Sequence, residues 1–140
     1  MTLLYKLTTH DGRTRVGHTN ETMWGEGVTH RGSGEGQLCG PGFIHAYETA
    51  LLAVFLNPCH ANIVDPILWE GEGEIALRDR GLKVGCVEFT TLRQILLPVV
   101  TLEQRVRFAI LCARAVNKKN SNFMKWSDKW MADHLVKAIA

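Results

Sequence analysis

The chain has 140 residues, 46% of them apolar and 21% charged, which are ordinary values for one globular domain. A chain of this length buries enough surface to fold without disulfide or metal staples. A net charge of +2 gives no electrostatic ground for a nucleic-acid partner.

The opening Met1-Thr2-Leu3-Leu4-Tyr5-Lys6 lacks a basic stretch followed by a long apolar run, so no signal peptide is expected. The longest nearly apolar run, Ala50 to Leu56, is too short to span a bilayer, and no membrane contact is expected. The cysteines Cys39, Cys59, Cys86 and Cys112 are widely spaced and form no CxxC. They are expected to be reduced, mostly buried thiols of a cytoplasmic protein.

Taken in chain order, Leu3 to Thr8 has strand character and ends at the turn signal His10-Asp11-Gly12, with Arg13 to Val16 expected to return as its hairpin partner. Residues Gly17 to Gly42 hold eight of the thirteen glycines. Met23, Trp24, Val28, Leu38 and Cys39 give this stretch apolar anchors, so it reads as a structured functional loop. Phe43 to Tyr47 reads as a strand. Thr49 caps a short helix, Ala50 to Leu56, with Pro58 expected to enforce its stop. Trp69 to Ile75 alternates, with Trp69, Gly71, Gly73 and Ile75 on one face and Glu70, Glu72 and Glu74 on the other. Leu82 to Phe89 and Arg93 to Leu97 read as two further strands.

The last third is helical. Thr101-Leu102-Glu103-Gln104 matches a capping box, with Val106, Ala109, Ile110 and Ala113 on the inner face of the helix that follows. A final helix from about Asn122 carries Phe123, Trp126, Trp130, Met131, His134 and Ala138 in one stripe. That stripe is core or oligomer contact, and homo-oligomerisation through the C-terminal helices is expected. The order of elements gives an α+β class over residues 1–140: a mainly antiparallel sheet with one short helix in 1–98, then two helices in 101–140.

The chemistry points to the glycine-rich region. Consecutive glycines let backbone amides curve around an anion. Arg13, Arg15, His18, His30 and Arg31 lie in or beside it and supply cationic donors. Trp24 and Tyr47 are candidates for stacking on a base. Glu26, Glu35 and Glu48 are candidate acceptors from ribose hydroxyls, as is Glu72 on the acidic strand face beside Trp69. His45 follows the glycines. No GxxxxGK[ST] is present. The Cys39, His45, Cys59 and His60 spacing matches no zinc motif, so no metal or other cofactor is expected.

Leu38-Cys39-Gly40-Pro41-Gly42-Phe43-Ile44-His45 resembles the "leucine-cysteine-x-x-glycine-phenylalanine-histidine" box of a family of small domains common in bacteriophages and prophages. The similarity extends over roughly residues 3 to 97. It takes in the opening Tyr5-Lys6-Leu7, the helix after the box, and the strands at Trp69 to Glu74, Lys83 to Gly85 and Arg93 to Ile95. Ile44 separates Phe43 from His45, where the box has these two residue types adjacent, which leaves any role inherited by His45 in doubt. The resemblance implies a phage accessory protein in the host cytoplasm, one that counters host defence by sequestering a signalling nucleotide. A fainter similarity to the ADP-ribosyltransferase core places Tyr5-Lys6-Leu7 where that core has tyrosine-histidine-glycine, so the NAD-clamping histidine is missing.

Three functions follow as expectations. The first is a non-catalytic module that binds a small phosphorylated or nucleotide-derived ligand through Arg13, Arg15, His18, Trp24, His30, Arg31, His45, Tyr47, Glu48, Trp69 and Glu72. The second is an enzyme acting on nucleotides or NAD. The third is a protein-binding inhibitor of a host factor using the C-terminal helices.

Overall fold

The computed structural model describes the backbone of residues 1–139 and side chains through His134, so the side chain of Ala138, assigned above to the last helix, lies outside the described residues. The chain divides into two compact units, Met1–Pro98 and Val99–Ala140.

The first unit is built on a mainly antiparallel sheet in the order β1 (Thr2–Thr8), β6 (Ile67–Arg78), β7 (Val84–Ile95) and β4 (Val28–Arg31), with β5 (Ile44–Ala46) also paired to β7. A separate two-residue ribbon pairs β2 (Arg13–Thr14) with β3 (Thr22–Met23). The expected hairpin between the opening strand and residues 13–16 is therefore corrected. The partner of β1 is β6, in the register Thr2↔Gly73 to Thr8↔Ile67. The turn at residues 10–12 does close, with Gly12 N–H donating to Thr9 O and Thr9 N–H to Arg13 O, both at 2.9 Å, but no ladder between β1 and β2 follows from it.

The alternation read in Trp69 to Ile75 has a packing reason. Gly71 and Gly73 leave a trough on β6 filled by the Phe89 ring of β7. A Cβ on Gly71 would lie 2.7 Å from Phe89 Cζ, and one on Gly73 would lie 2.9 Å from Cδ2. Phe89 is fully buried in a cluster with Leu4, Trp24, Ile44, Ala46, Val84 and Cys86. A second cluster, Leu7, Tyr47, Ala53, Leu56 and Leu68, seats α1 (Ala50–His60) on the sheet.

Two more readings are corrected. Residues 84–95 form one strand rather than two. Thr91 bridges the supposed gap because its hydroxyl is buried and donates to Gly25 O at 2.5 Å. The helix capped by Thr49 runs through Pro58 to His60. Proline there removes a single amide donor, and Ala61 N–H still closes the helix onto Asn57 O at 3.0 Å.

The glycine-rich stretch is ordered and contains β3 and β4. After Arg31 the chain leaves the edge of β7 and returns at Ile44, so residues 32–43 form an excursion with a narrow neck. Gly32 N–H donates to Val87 O at 2.7 Å and Gly34 N–H to Gly42 O at 2.9 Å. A Cβ on Gly32 would stand 2.3 Å from Gly42 O, and one on Gly42 would stand 2.0 Å from Glu35 O. Gly42→Ala is accordingly expected to destabilise the first unit by about 1–3 kcal/mol, the usual range for overpacking. An unchanged urea midpoint would contradict this packing of the neck.

In the second unit α2 (Leu102–Val116) begins with the capping box at Thr101 and Gln104, and α3 spans Ser121–Ile139. Arg114 Nη1 ties the helices by donating to buried Ser127 Oγ at 2.7 Å and to Asp128. Trp130 stacks on His134. Ala109, read as inner-facing, is exposed, and Trp126 is 53% exposed, so within its stripe it is not core. No described helix is long and apolar enough to cross a membrane.

Candidate functional site

β1 turns Leu4, Lys6 and Thr8 inward. Leu4 joins the core, and the Thr8 hydroxyl accepts from Trp69 Nε1–H at 2.9 Å. Lys6 is the exception in this row, a cation only 8% exposed. Its ammonium donates to His45 O at 2.7 Å and stands 5.3 Å from the centre of the Trp24 ring. Burial, reinforced by the Arg15 charge, lowers its pKa to about 7, against a smaller opposing pull from Cys86.

Lys6 lines a cavity of about 880 Å³ in the first unit, bounded by the end of β1, the β2–β3 ribbon, the excursion neck and the C-terminal end of α1. The wall also carries Arg13, Arg15, Arg31 and Lys83, together with His18, His30, His45 and His60. Glu21 is the one carboxylate in the lining.

The neighbours of these cations separate them into two groups. Arg13 is paired with Asp11 and Glu21, and Arg31 with Glu88. Their charge is already compensated. Arg15 instead donates through Nη2 to Phe43 O at 2.8 Å, and desolvation lowers its pKa. Among the described residues neither Lys6 nor Arg15 meets a carboxylate. Arg15 also sits at φ 55, a left-handed conformation that costs a non-glycine residue on the order of 1 kcal/mol. The turn after it, closed by His18 N–H donating to Arg15 O at 3.1 Å, holds that conformation.

The histidines are fixed by carbonyls and aromatic rings. His45 donates from Nε2 to Leu38 O, and burial lowers its pKa to about 4, so the ring is neutral at pH 7 with Nδ1 bare. His30 donates to Met23 O at 2.6 Å and meets Trp24 edge-on. His60 Nδ1 and Tyr47 Oη are hydrogen-bonded at 2.6 Å; desolvation raises the Tyr47 pKa to about 12 and lowers that of His60.

The structure brings Arg13, Arg15, His18, Trp24, His30, Arg31, His45 and Tyr47 to this one cavity. It leaves out three of the residues read as ligand-binding. Glu48 is exposed and paired with Arg78, Trp69 is buried in the core, and Glu72 lies along β6 opposite Leu3 and Thr90. The two aromatic stacking candidates are packed walls rather than open platforms. Trp24 is wedged edge-on between Phe89 and His30, with its indole N–H on Thr14 Oγ1, and Tyr47 is buried against α1.

Several glycine amides are also committed elsewhere: Gly12 to Thr9, Gly27 to Thr91, Gly32 to Val87, Gly34 to Gly42 and Gly40 to Gln37. The expected nest of amides is thus replaced by a cluster of cationic side chains. Lys6 and Lys83 are not among the ligand-binding residues expected from sequence, and His60 enters there only in a rejected metal cluster. The usable signal for Lys6 was a lone lysine on the Leu4-Lys6-Thr8 side of an otherwise apolar strand.

All four cysteines are free, and only Cys86 is buried, which corrects the expectation that most of them are. Lys83 Nζ donates to Cys39 Sγ at 3.2 Å near the cavity. Among the described residues, no three His, Cys, Asp or Glu side chains converge as a metal site would require. No family model, no curated protein and no solved structure matches the chain.

Proposed function

We propose that the first unit binds a small phosphorylated or nucleotide-derived anion in this cavity, without turning it over. The observation that carries the reading is the pair Lys6 and Arg15: two desolvated cations beside one cavity, with the Arg15 charge adding to the cost of charging Lys6 and, among the described residues, no carboxylate paired with either. A bound phosphate supplies the missing negative charge and accepts charge-assisted hydrogen bonds from both. A cavity of about 880 Å³ has room for a nucleotide-sized molecule. The resemblance to small phage domains supports sequestration of a host signalling nucleotide as the setting.

Because Lys6 is largely neutral at pH 8, an anion that raises its pKa draws a proton from solution, so affinity rises as pH falls towards the Lys6 pKa of about 7 and levels off below it. Calorimetry with pyrophosphate and a panel of nucleotides and cyclic dinucleotides, run at pH 8 in two buffers of different ionisation enthalpy, is expected to show uptake of up to one proton. Arg15→Ala is expected to weaken binding on the order of tenfold. Absence of binding across the panel, or equal affinity in the Arg15→Ala protein, would overturn the reading.

A further inference from the structure

We propose that Lys6 is a covalent capture site, whose amine condenses with the carbonyl of a small phosphorylated aldehyde or ketone while Arg15 holds the phosphate. This inference rests on the anion-binding reading of the cavity and adds a class of ligand to it.

A carbonyl-reactive lysine needs three things: a free lone pair at neutral pH, a fixed position, and access to a space that admits the carbonyl compound. Lys6 has the position, because β1 is clamped by β6 along its length and Nζ is tethered to His45 O at 2.7 Å. It has the access, because it lines the cavity. The lone pair follows from its surroundings. The groups acting on Nζ are the Arg15 guanidinium, which repels a second positive charge, and, on the side of the cation, the Cys86 thiol from β7, the His45 carbonyl from β5 and the Trp24 ring 5.3 Å away; burial outweighs these. Cys86 is itself held protonated, its pKa pushed up to about 11 by burial. With its pKa lowered to about 7, Lys6 carries a free amine at neutral pH far more often than an ordinary lysine, which does so well under about 1% of the time.

The reaction balances without an added oxidant or reductant. The Nζ lone pair attacks the carbonyl carbon and forms a C–N bond. The carbonyl oxygen takes up both amine protons and leaves as water. A C=N bond between Nζ and the former carbonyl carbon remains, and hydrolysis reverses it.

The test uses pyridoxal 5′-phosphate as probe, with borohydride to fix any imine and peptide mass spectrometry to locate it. At pH 7 and low probe concentration, modification is expected at Lys6 first, on the order of tenfold faster than at any other lysine. The rate should level off above about pH 7 rather than climb towards the ordinary lysine range. Pyrophosphate should suppress it, and pyridoxal without phosphate should react at least about tenfold more slowly if Arg15 holds the phosphate. Lys6→Met removes the site; Arg15→Ala, which leaves the amine in place, should slow phosphate-dependent labelling.

Labelling spread evenly over the lysines, or centred on Lys83, would overturn the proposal. If pyrophosphate binds but Lys6 stays unmodified, covalent capture falls and the anion reading stands. If neither occurs, both fall.

Discussion

At pH 6 the Lys6→Met protein is expected to be more stable than the parent by on the order of 4 kcal/mol. In the folded chain Lys6 has a pKa of about 7, against 10.5 as its ordinary value. Between these values the unfolded chain binds more protons, so the stability of the parent rises with pH across the window. The cost of charging Lys6 is fully present below pH 7 and relieved towards pH 10.5. Methionine has a similar shape and no charge, so it avoids the cost at every pH. His45, with its pKa lowered to about 4 chiefly by burial, also destabilises the fold in acid; the Lys6 charge is a lesser contributor to that shift, so most of the effect is common to both proteins. Urea midpoints at pH 6 and pH 9 should show more than half of the gap gone at the higher pH. Parallel pH profiles for the two proteins would mean that Lys6 is not buried as a poorly compensated cation, and the case for an anion site would lose its main support.

Phe89→Ala is expected to cost about 3–5 kcal/mol, the range for deleting a buried aromatic ring. The position is sensitive for a specific reason. The ring fills the trough over Gly71 and Gly73, and neither glycine has a side chain that could collapse into the vacated space. The same ring is a wall for Trp24, whose centroid is 5.8 Å away. Phe89→Ala should therefore lower the denaturant midpoint of the first unit and also weaken ligand binding. Phe89→Leu, which refills much of the volume, should lose less of both. A small shift for Phe89→Ala would show that the ring does not organise this core.

The features legible in the sequence were those written locally. The Thr101–Gln104 capping box depends on two residues three apart, and both of its hydrogen bonds form. Of the apolar anchors in the glycine-rich stretch, Trp24 reaches the main core, whereas Met23 and Cys39 are exposed. The basic residues around that stretch do gather at one cavity.

What sequence could not supply was pairing over distance. The Arg13–Asp11–Glu21 and Arg31–Glu88 contacts decide which cations are already neutralised, and the second joins residues far apart in the chain. Lys6 looked like an ordinary strand lysine because nothing within β1 announces that His45 O and Arg15 meet it in the interior. The glycines suggested an anion nest, whereas at Gly32 and Gly42 they are needed where two backbone segments pass within contact distance. Strand β7 was read as two pieces because the partner of Thr91, Gly25 O, lies in a different part of the chain.

The pinched base of the 32–43 excursion has an evolutionary and practical corollary. Both legs are stapled together where they leave and rejoin β7 and where Glu35 O meets Gly42, so the far end, at the exposed Gly36, hangs from a closed lariat. Extra residues spliced in at that tip would lengthen the noose without disturbing the knot. The entropic toll of a longer loop grows only logarithmically, by about 0.6 kcal/mol per doubling. Related chains are free to differ in length there, and an affinity handle or fluorophore can be grafted at the tip with the binding chamber left intact.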